Sequence, residues 1–194
     1  LSVYLRGNHH IAAIESSSDA AWEGRLDISD GSQLSAGQLH LKSGLANIRF
    51  KSGALVMLEA PARIDIVSAM RARLLSGKAL VEAPDSANGF VVATPHGYVT
   101  DHGTRFSVDV GGGEATCEVL EGEISLYHFQ TGKKQHLFDQ QASVMNSDGI
   151  NELDLLPSTV VRPPSTRSLL IGTNGKATSI VRDNQRDKLL RPGV

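Results

Sequence analysis

The sequence is poor in cysteine and in aromatic residues, and each shortage argues against a class of protein. Cys117 is the only cysteine, so neither a disulfide framework nor a cysteine-based metal cluster can form within the chain. The aromatic residues are one Trp, three Tyr and five Phe, too few for a platform that stacks single-stranded nucleic acid. We therefore expect no nucleic-acid partner.

Long apolar runs are also missing. No run reaches the roughly 18 residues that cross a bilayer, and no signal peptide is recognisable. The stretch from Leu1 to Leu5, followed by Arg6, nevertheless has the pattern of the last turn of a membrane helix at the interface. The expectation is a membrane span preceding the sequence given.

Charge is divided unevenly along the 194 residues. Residues 11–161 hold 11 Lys or Arg against 19 Asp or Glu, whereas residues 162–194 hold 7 against 2. The basic residues of the tail are dispersed and form no polybasic cluster. A solvated tail is the simpler interpretation, and binding to nucleic acid or lipid the less favoured one.

Short alternating apolar segments dominate the centre of the chain. Alternation with period two is typical of strands that bury one face. The predicted strands are Gln38–Leu41, Ala46–Phe50, Leu55–Glu59, Arg63–Val67, Arg71–Leu75, Lys78–Glu82, Phe90–Thr94, Tyr98–Asp101, Arg105–Val110, Ala115–Leu120, Glu123–Tyr127, Gln135–Asp139 and Ala142–Met145. A helix is an alternative at Ser68–Leu75, where we favour a strand, and at Thr178–Leu190.

Turn-forming residues separate these segments, because glycine reverses the chain without Cβ strain. The predicted turns include Lys42-Ser43-Gly44, Lys51-Ser52-Gly53, Ala60-Pro61, Ser76-Gly77, Asn88-Gly89, Pro95-His96-Gly97, Gly111-Gly112-Gly113, Glu121-Gly122 and Thr131-Gly132. The predicted fold class is all-β, with short antiparallel strands and Gly turns forming a two-layer sandwich or a short β-solenoid, and with irregular N- and C-terminal tails.

Three segments follow from this pattern. Residues 1–22 are a lead-in after the expected membrane span, with Trp22 as an anchor onto the core. Residues 23–156 are the all-β domain. Residues 157–194 begin with a proline-rich linker and continue as a basic tail, or as the start of a truncated neighbouring domain.

Candidate reactive groups are few. His96, Asp101 and His102 are the closest histidine grouping, but their spacing does not match a three-ligand zinc or iron site, and solvated turn histidines are favoured. Glu121 and Glu123 would share one strand face as a carboxylate pair, for which a charged hairpin edge is the plainer account. Cys117 lies in an alternating stretch and is expected to be small and buried.

No nucleophile elbow or phosphate-binding loop occurs. Gly111-Gly112-Gly113 lies between two predicted strands and is expected to be a hairpin loop. We predict no catalytic, cofactor-binding or metal-binding residues, and no enzymatic activity.

Three specific motifs follow one another at strand-length separations: Thr94-Pro95, then Gly103-Thr104-Arg105-Phe106, then Leu120-Glu121-Gly122. With these motifs, the order of residues from Trp22 to about Met145 resembles the FecR family. The family-motif residues are Thr94, Pro95, Gly103, Thr104, Phe106, Glu121 and Gly122, and their expected roles are structural. Two departures are Ala60, where related sequences usually carry Gly, and His102, at a position that is often apolar.

The resemblance implies an extracytoplasmic, periplasmic domain of an inner-membrane protein that regulates an alternative sigma factor through a separate cytoplasmic segment. It implies contact with other envelope proteins, with an outer-membrane receptor as one candidate. The small receptor-docking domain of classical members has no room in residues 157–194. An extracellular carbohydrate-binding or cell-surface structural β-domain is the alternative.

Overall fold

The computed structural model describes residues 10–24 and 27–153. The apolar start of the chain, the proline-rich linker, the basic tail and the helical alternative at residues 178–190 lie outside the described residues. The strands are β1 (Ala12–Trp22), β2 (Gln33–Leu34), β3 (Gly37–Phe50), β4 (Leu55–Ser68), β5 (Arg71–Glu82), β6 (Val91–Ala93), β7 (Gly97–Asp101), β8 (Arg105–Gly111), β9 (Glu114–Glu121), β10 (Glu123–His128), β11 (Lys134–Phe138), β12 (Ala142–Asn146) and β13 (Gly149–Leu153).

All the strands belong to one sheet that branches at β5. Along one edge of β5, Arg71–Arg73 pairs with β6 in parallel, and Gly77–Glu82 pairs with β8 in antiparallel. The β6 branch continues through β7 and β10 to β11, and the β8 branch continues through β9 and β12 to β13. Every other pairing is antiparallel.

Both branches bury their side chains in the same core. Val99 and Leu126 of the β6 branch and Phe106 and Val119 of the β8 branch are at most 1% exposed and belong to one cluster. Apolar burial of this kind is the main favourable term in folding. The all-β class is confirmed. We call the β6 branch, with the parts of β3, β4 and β5 beside it, the first layer, and the β8 branch, with the remaining parts of those strands, the second layer.

The long strands β3, β4 and β5 pass through both layers and bend where they cross. The register shifts between Leu41 and Leu45 in the β3–β4 pairing and between Glu59 and Arg63 in the β4–β5 pairing. Gly77 lies so close to β4 that a Cβ there would be 2.3 Å from the carbonyl oxygen of Pro61. We call this line of bulges the crease; it divides β3, β4 and β5 between the two layers.

The crease corrects three sequence predictions. Lys42-Ser43-Gly44, Ala60-Pro61 and Ser76-Gly77 are not hairpin turns but lie within continuous strands of 12 to 14 residues. Each therefore joins two predicted strands into one. Two of the three segments contain glycine because the backbone of a bulge takes positive φ, as it also does in a turn. The φ is +80° at Gly44 and +91° at Gly77.

Other predictions are confirmed. The loop at Gly112 and Gly113 joins β8 to β9 as a hairpin, with φ of +59° and +83°. Residues 71–75 are strand and not helix. Trp22 packs against the core. The lead-in differs from the prediction: it is not irregular throughout, because Ala12–Trp22 forms strand β1, which pairs with β3, so the sheet includes residues before position 23.

Candidate functional site

Four of the family-motif residues, Gly103, Thr104, Glu121 and Gly122, lie where the chain passes from one layer to the other. Strand β7 ends at Asp101 and the chain enters the second layer as β8; strand β9 ends at Glu121 and the chain returns as β10. We call segment 101–104 the first passage, segment 121–123 the second passage, and the two together the crossing. The amide of His102 donates to the carbonyl of Glu123 over 3.1 Å, which joins the two passages.

Asp101 organises the first passage. Its buried carboxylate accepts hydrogen bonds from the amide of Gly103 at 3.0 Å and from the hydroxyl of Thr104. The carbonyl of Thr104 accepts from the amide of Ala83, 3.1 Å away, which ties the passage to the end of β5. Burial raises the pKa of the Asp101 carboxyl above its usual range, against the opposing effect of the bonds from Gly103 and Thr104.

The second passage turns at Gly122, with φ of +92°. A Cβ at this position would lie 2.6 Å from the carbonyl oxygen of Gly103 and 2.6 Å from Cγ2 of Thr104. The amide of Gly122 donates to a carboxylate oxygen of Asp139. Only glycine fits the close approach and the backbone conformation together.

The remaining motif residues also shape the backbone. Thr94 is buried, and its hydroxyl oxygen accepts from the amide of Gly97 at 3.1 Å, which fixes the β6–β7 turn that contains the exposed Pro95. Phe106 is fully buried in the core. None of these side chains carries reactive chemistry at a surface.

The grouping of His96, Asp101 and His102 does not converge. His96 lies in the β6–β7 turn, while Nε2 of His102 lies 2.9 Å from the hydroxyl of Ser125 and its ring stacks on His136 with centroids 6.1 Å apart. Across the part of the chain that the structure describes, no three His, Cys, Asp or Glu side chains are grouped as metal ligands.

The structure also argues against the carboxylate pair, the less favoured interpretation of Glu121 and Glu123. Glu121 ends β9 and Glu123 begins β10, where it contacts His136. Because Gly122 turns the chain between them, the two residues belong to different strands and do not share one strand face, so the premise of a carboxylate pair is wrong. Cys117 is buried as predicted, and burial raises the pKa of its thiol to about 12.

A surface cleft of about 540 Å³ lies beside the crossing. Its lining includes Glu82, Asp85, Thr104, Arg105, Glu121 and Arg49. Arg105 pairs with Glu82 over 3.0 Å, and Arg49 pairs with Glu15 over 2.8 Å. Both cations of the cleft therefore already have a carboxylate partner, and the cleft presents no unmatched positive charge to an anion.

Sequence reasoning missed an aromatic surface on the outer side of β7 and β10. Tyr98 and Tyr127 are register partners whose rings stack 5.9 Å apart, and Phe129 meets Tyr98 edge-on at 4.6 Å. Phe129 keeps 42% of its surface exposed. The sequence did contain a signal for this surface. Tyr98 and Tyr127 each neighbour a residue that faces the core, so the alternation places both tyrosines on the outer side of the sheet.

The crossing and the two-layer sheet define a structural β-module whose motif residues fix the backbone. A model of the FecR family, described as FecR protein, matches residues 37–125, a little less than half of the chain. This part of the chain is therefore similar to the FecR family. The match runs from the start of β3 into β10, so it includes the crease and the crossing.

Two solved structures share the fold. Both are crystal structures of a proposed anti-sigma factor from Parabacteroides distasonis ATCC 8503. One has 16% identity and a TM-score of 0.53 over 61% of this chain and 59% of the neighbour; the other has 15% and 0.54 over 62% and 61%. The chain thus spans about three fifths of either neighbour's length. No curated protein matches significantly.

None of the described residues lies in a helix that is long and apolar enough to span a bilayer.

Proposed function

We propose that this chain is the extracytoplasmic sensor or adaptor domain of a membrane-anchored regulator of an alternative sigma factor. It lies on the periplasmic side of the inner membrane and acts by contact with other proteins, not by catalysis. Its partners are envelope proteins, with an outer-membrane receptor as a candidate. A separate cytoplasmic segment reaches the sigma factor.

The observation that carries the proposal is the family match together with the role of its motif. Within residues 37–125, Gly103, Thr104 and Gly122 of the motif shape the backbone of the crossing, where Gly103 and Thr104 donate to Asp101 and Gly122 packs against Gly103. The resemblance in fold to a proposed anti-sigma factor supports the same role. A module of this kind works through the surface that its rigid layers present.

A reporter for the cognate sigma factor tests the regulatory part of the proposal. In the native host, deletion of the gene is expected to change sigma-dependent transcription, and the full-length gene is expected to restore it. A full-length variant with Gly122→Val, which breaks the crossing, should fail to restore the regulated level. Transcription that is unaffected by deletion would refute the regulatory role.

Membrane topology is tested separately in the full-length protein by fusion reporters placed after Leu153, in the numbering of this chain. Alkaline phosphatase is active only outside the cytoplasm, so we expect an active phosphatase fusion and a non-fluorescent fusion to ordinary green fluorescent protein. The opposite pattern would place the domain in the cytoplasm and contradict the proposal.

A further inference from the structure

The outer side of the first layer carries an aromatic surface, and the Arg71 guanidinium lies over one of its rings. It consists of Arg71, Tyr98, Tyr127 and Phe129, which we call the Arg71 face. Val99 and Leu126, the chain neighbours of the two tyrosines, are buried in the core. The tyrosines therefore point away from the core, because successive strand residues alternate between faces.

Arg71 is held on this face without an acidic partner. Its Cζ lies 4.7 Å from the centroid of the Tyr98 ring, and its buried Nε has no hydrogen-bond partner in the described structure. The next cation along β5, Arg73, pairs with Asp65 at 3.6 Å. No carboxylate of residues 10–24 and 27–153 forms an ion pair with Arg71.

A guanidinium positioned over a ring and without an ion pair in the described residues is suited to bind a carboxylate, because the two groups match in charge and planar geometry. Its charge stands out because residues 11–161 are acidic overall. Arginine and exposed aromatic side chains are also the residues that contribute most at protein interfaces. The face combines both properties in one place.

We propose that the Arg71 face is the docking surface for a protein partner, and that it recognises a segment carrying a carboxylate beside an apolar or aromatic side chain. The carboxylate pairs with Arg71, and the apolar side chain packs on Tyr127 and Phe129. This inference rests on the proposed function, since it assigns the place at which the adaptor meets its partner.

The ring geometry favours a peptide over a sugar. A sugar stacks on an open ring face, usually with nearby carboxylates or amides that bind its hydroxyls. Here Arg71 lies over the ring of Tyr98, Phe129 meets that ring edge-on, and Tyr127 stacks beside it. The surface thus offers ring edges and a cation, which suit a carboxylate and an apolar side chain.

The test is a selection of random displayed peptides on the purified 194-residue chain, followed by affinity measurements with the selected peptides. We expect sequences that pair Asp or Glu with Phe, Leu or Tyr. Arg71→Gln and Phe129→Ala should each weaken binding about tenfold or more. Lys51→Gln, which removes an exposed cation at the β3–β4 turn, should leave the affinity unchanged. Melting curves confirm that each variant is folded.

Reversing the charge of Arg71 is the more specific test. Arg71→Glu should lose the acidic peptides and gain peptides that pair Lys or Arg with an apolar residue. Selected peptides without acidic residues, or no selected peptide, would overturn the proposal, as would an affinity indifferent to Arg71. Glycan-array binding that depends on Tyr127 would show a carbohydrate site instead. A concentration-dependent dimer lost on Phe129→Ala, with no peptide bound, would assign the face to a second copy.

The sigma-factor reporter separates failure of this inference from failure of the proposed function. If deletion of the gene changes transcription but full-length Arg71→Glu behaves as wild type, the docking face is wrong and the regulatory role stands. If deletion has no effect, the regulatory role fails whatever the peptides show.

Discussion

Gly122 lies against Gly103, with space for only a hydrogen atom between the backbones. A Cβ on Gly122 would come 2.6 Å from the Gly103 carbonyl oxygen, well inside the separation of non-bonded atoms. The two residues are separated in sequence by the whole of β8 and β9. Their contact is therefore tertiary, and it fixes how the two passages of the crossing fit together.

Gly122→Ala is expected to destabilise the domain by about 2 to 4 kcal/mol, because positive φ and overlap with backbone atoms both penalise the side chain. The measurement is urea unfolding followed by circular dichroism. Gly112→Ala is the matched control: its φ is +59°, but nothing lies within 4 Å of the added Cβ. It should cost about 1 kcal/mol. Equal losses would mean that the contact with Gly103 contributes nothing.

Asp101→Ala is expected to destabilise the domain by about 1 to 3 kcal/mol, because it leaves the Gly103 amide and the Thr104 hydroxyl without their acceptor. Asp101→Asn should cost less, since its amide oxygen still accepts a hydrogen bond. The free energy of unfolding of the three proteins at neutral pH checks this order. An alanine variant as stable as the asparagine variant would contradict the role given to the carboxylate.

The raised pKa of Asp101 gives stability a predicted pH dependence. The folded state binds the proton more tightly than the unfolded state, whose carboxyl has its ordinary pKa of 3.8. The stability of wild type relative to Asp101→Asn should therefore fall as pH rises from 3.8 through the higher folded pKa, and stay constant above it. Unfolding both proteins across the acid range measures the difference; a difference that rises with pH would show that the sign is wrong.

Phe106→Ala is expected to cost about 3 to 5 kcal/mol, since it empties a fully buried aromatic site between the layers. Phe138→Ala removes the same side chain where 51% of the residue is exposed. Its effect should stay within about 0.5 kcal/mol. Thermal or urea unfolding compares the two, and similar losses would place Phe106 outside the tightly packed core.

Cys117 is expected to resist thiol reagents in the folded protein, because it is buried and its pKa of about 12 leaves almost no thiolate at neutral pH. Labelling with a chromogenic disulfide should be slow in buffer and complete in denaturant. Rapid labelling of the folded chain would show that the site opens more readily than the structure indicates.

The strands could be predicted from sequence because their signal is local. Each predicted segment overlaps a strand, since alternation at period two appears within a few residues, although six of the segments share β3, β4 and β5. Strands β1, β2 and β13 were not predicted. The crease could not be recognised in this way. Gly44 and Gly77 interrupt the alternation in the same manner as the hairpin glycines Gly112 and Gly113, and positive φ serves a bulge and a turn equally.

Only part of the crossing could be predicted from the sequence. The motif residues were identified by their order, but the approach of Gly122 to Gly103 depends on how two distant passages pack, which no local pattern encodes. The Arg71 face was missed for a similar reason. Arg71 and Tyr98 lie on strands that are not adjacent in sequence, and only the sheet brings the guanidinium over the ring.

The continuity of β3, β4 and β5 through the crease has a mechanical consequence. Each of these strands supplies hydrogen bonds to both layers, so no flexible hinge separates one half of the body from the other. A ligand that seats on one side therefore cannot swing that half open independently. In the proposed sensor role, a partner bound to one half would displace both halves of the sheet together, including the N-terminal strand β1 that pairs with β3.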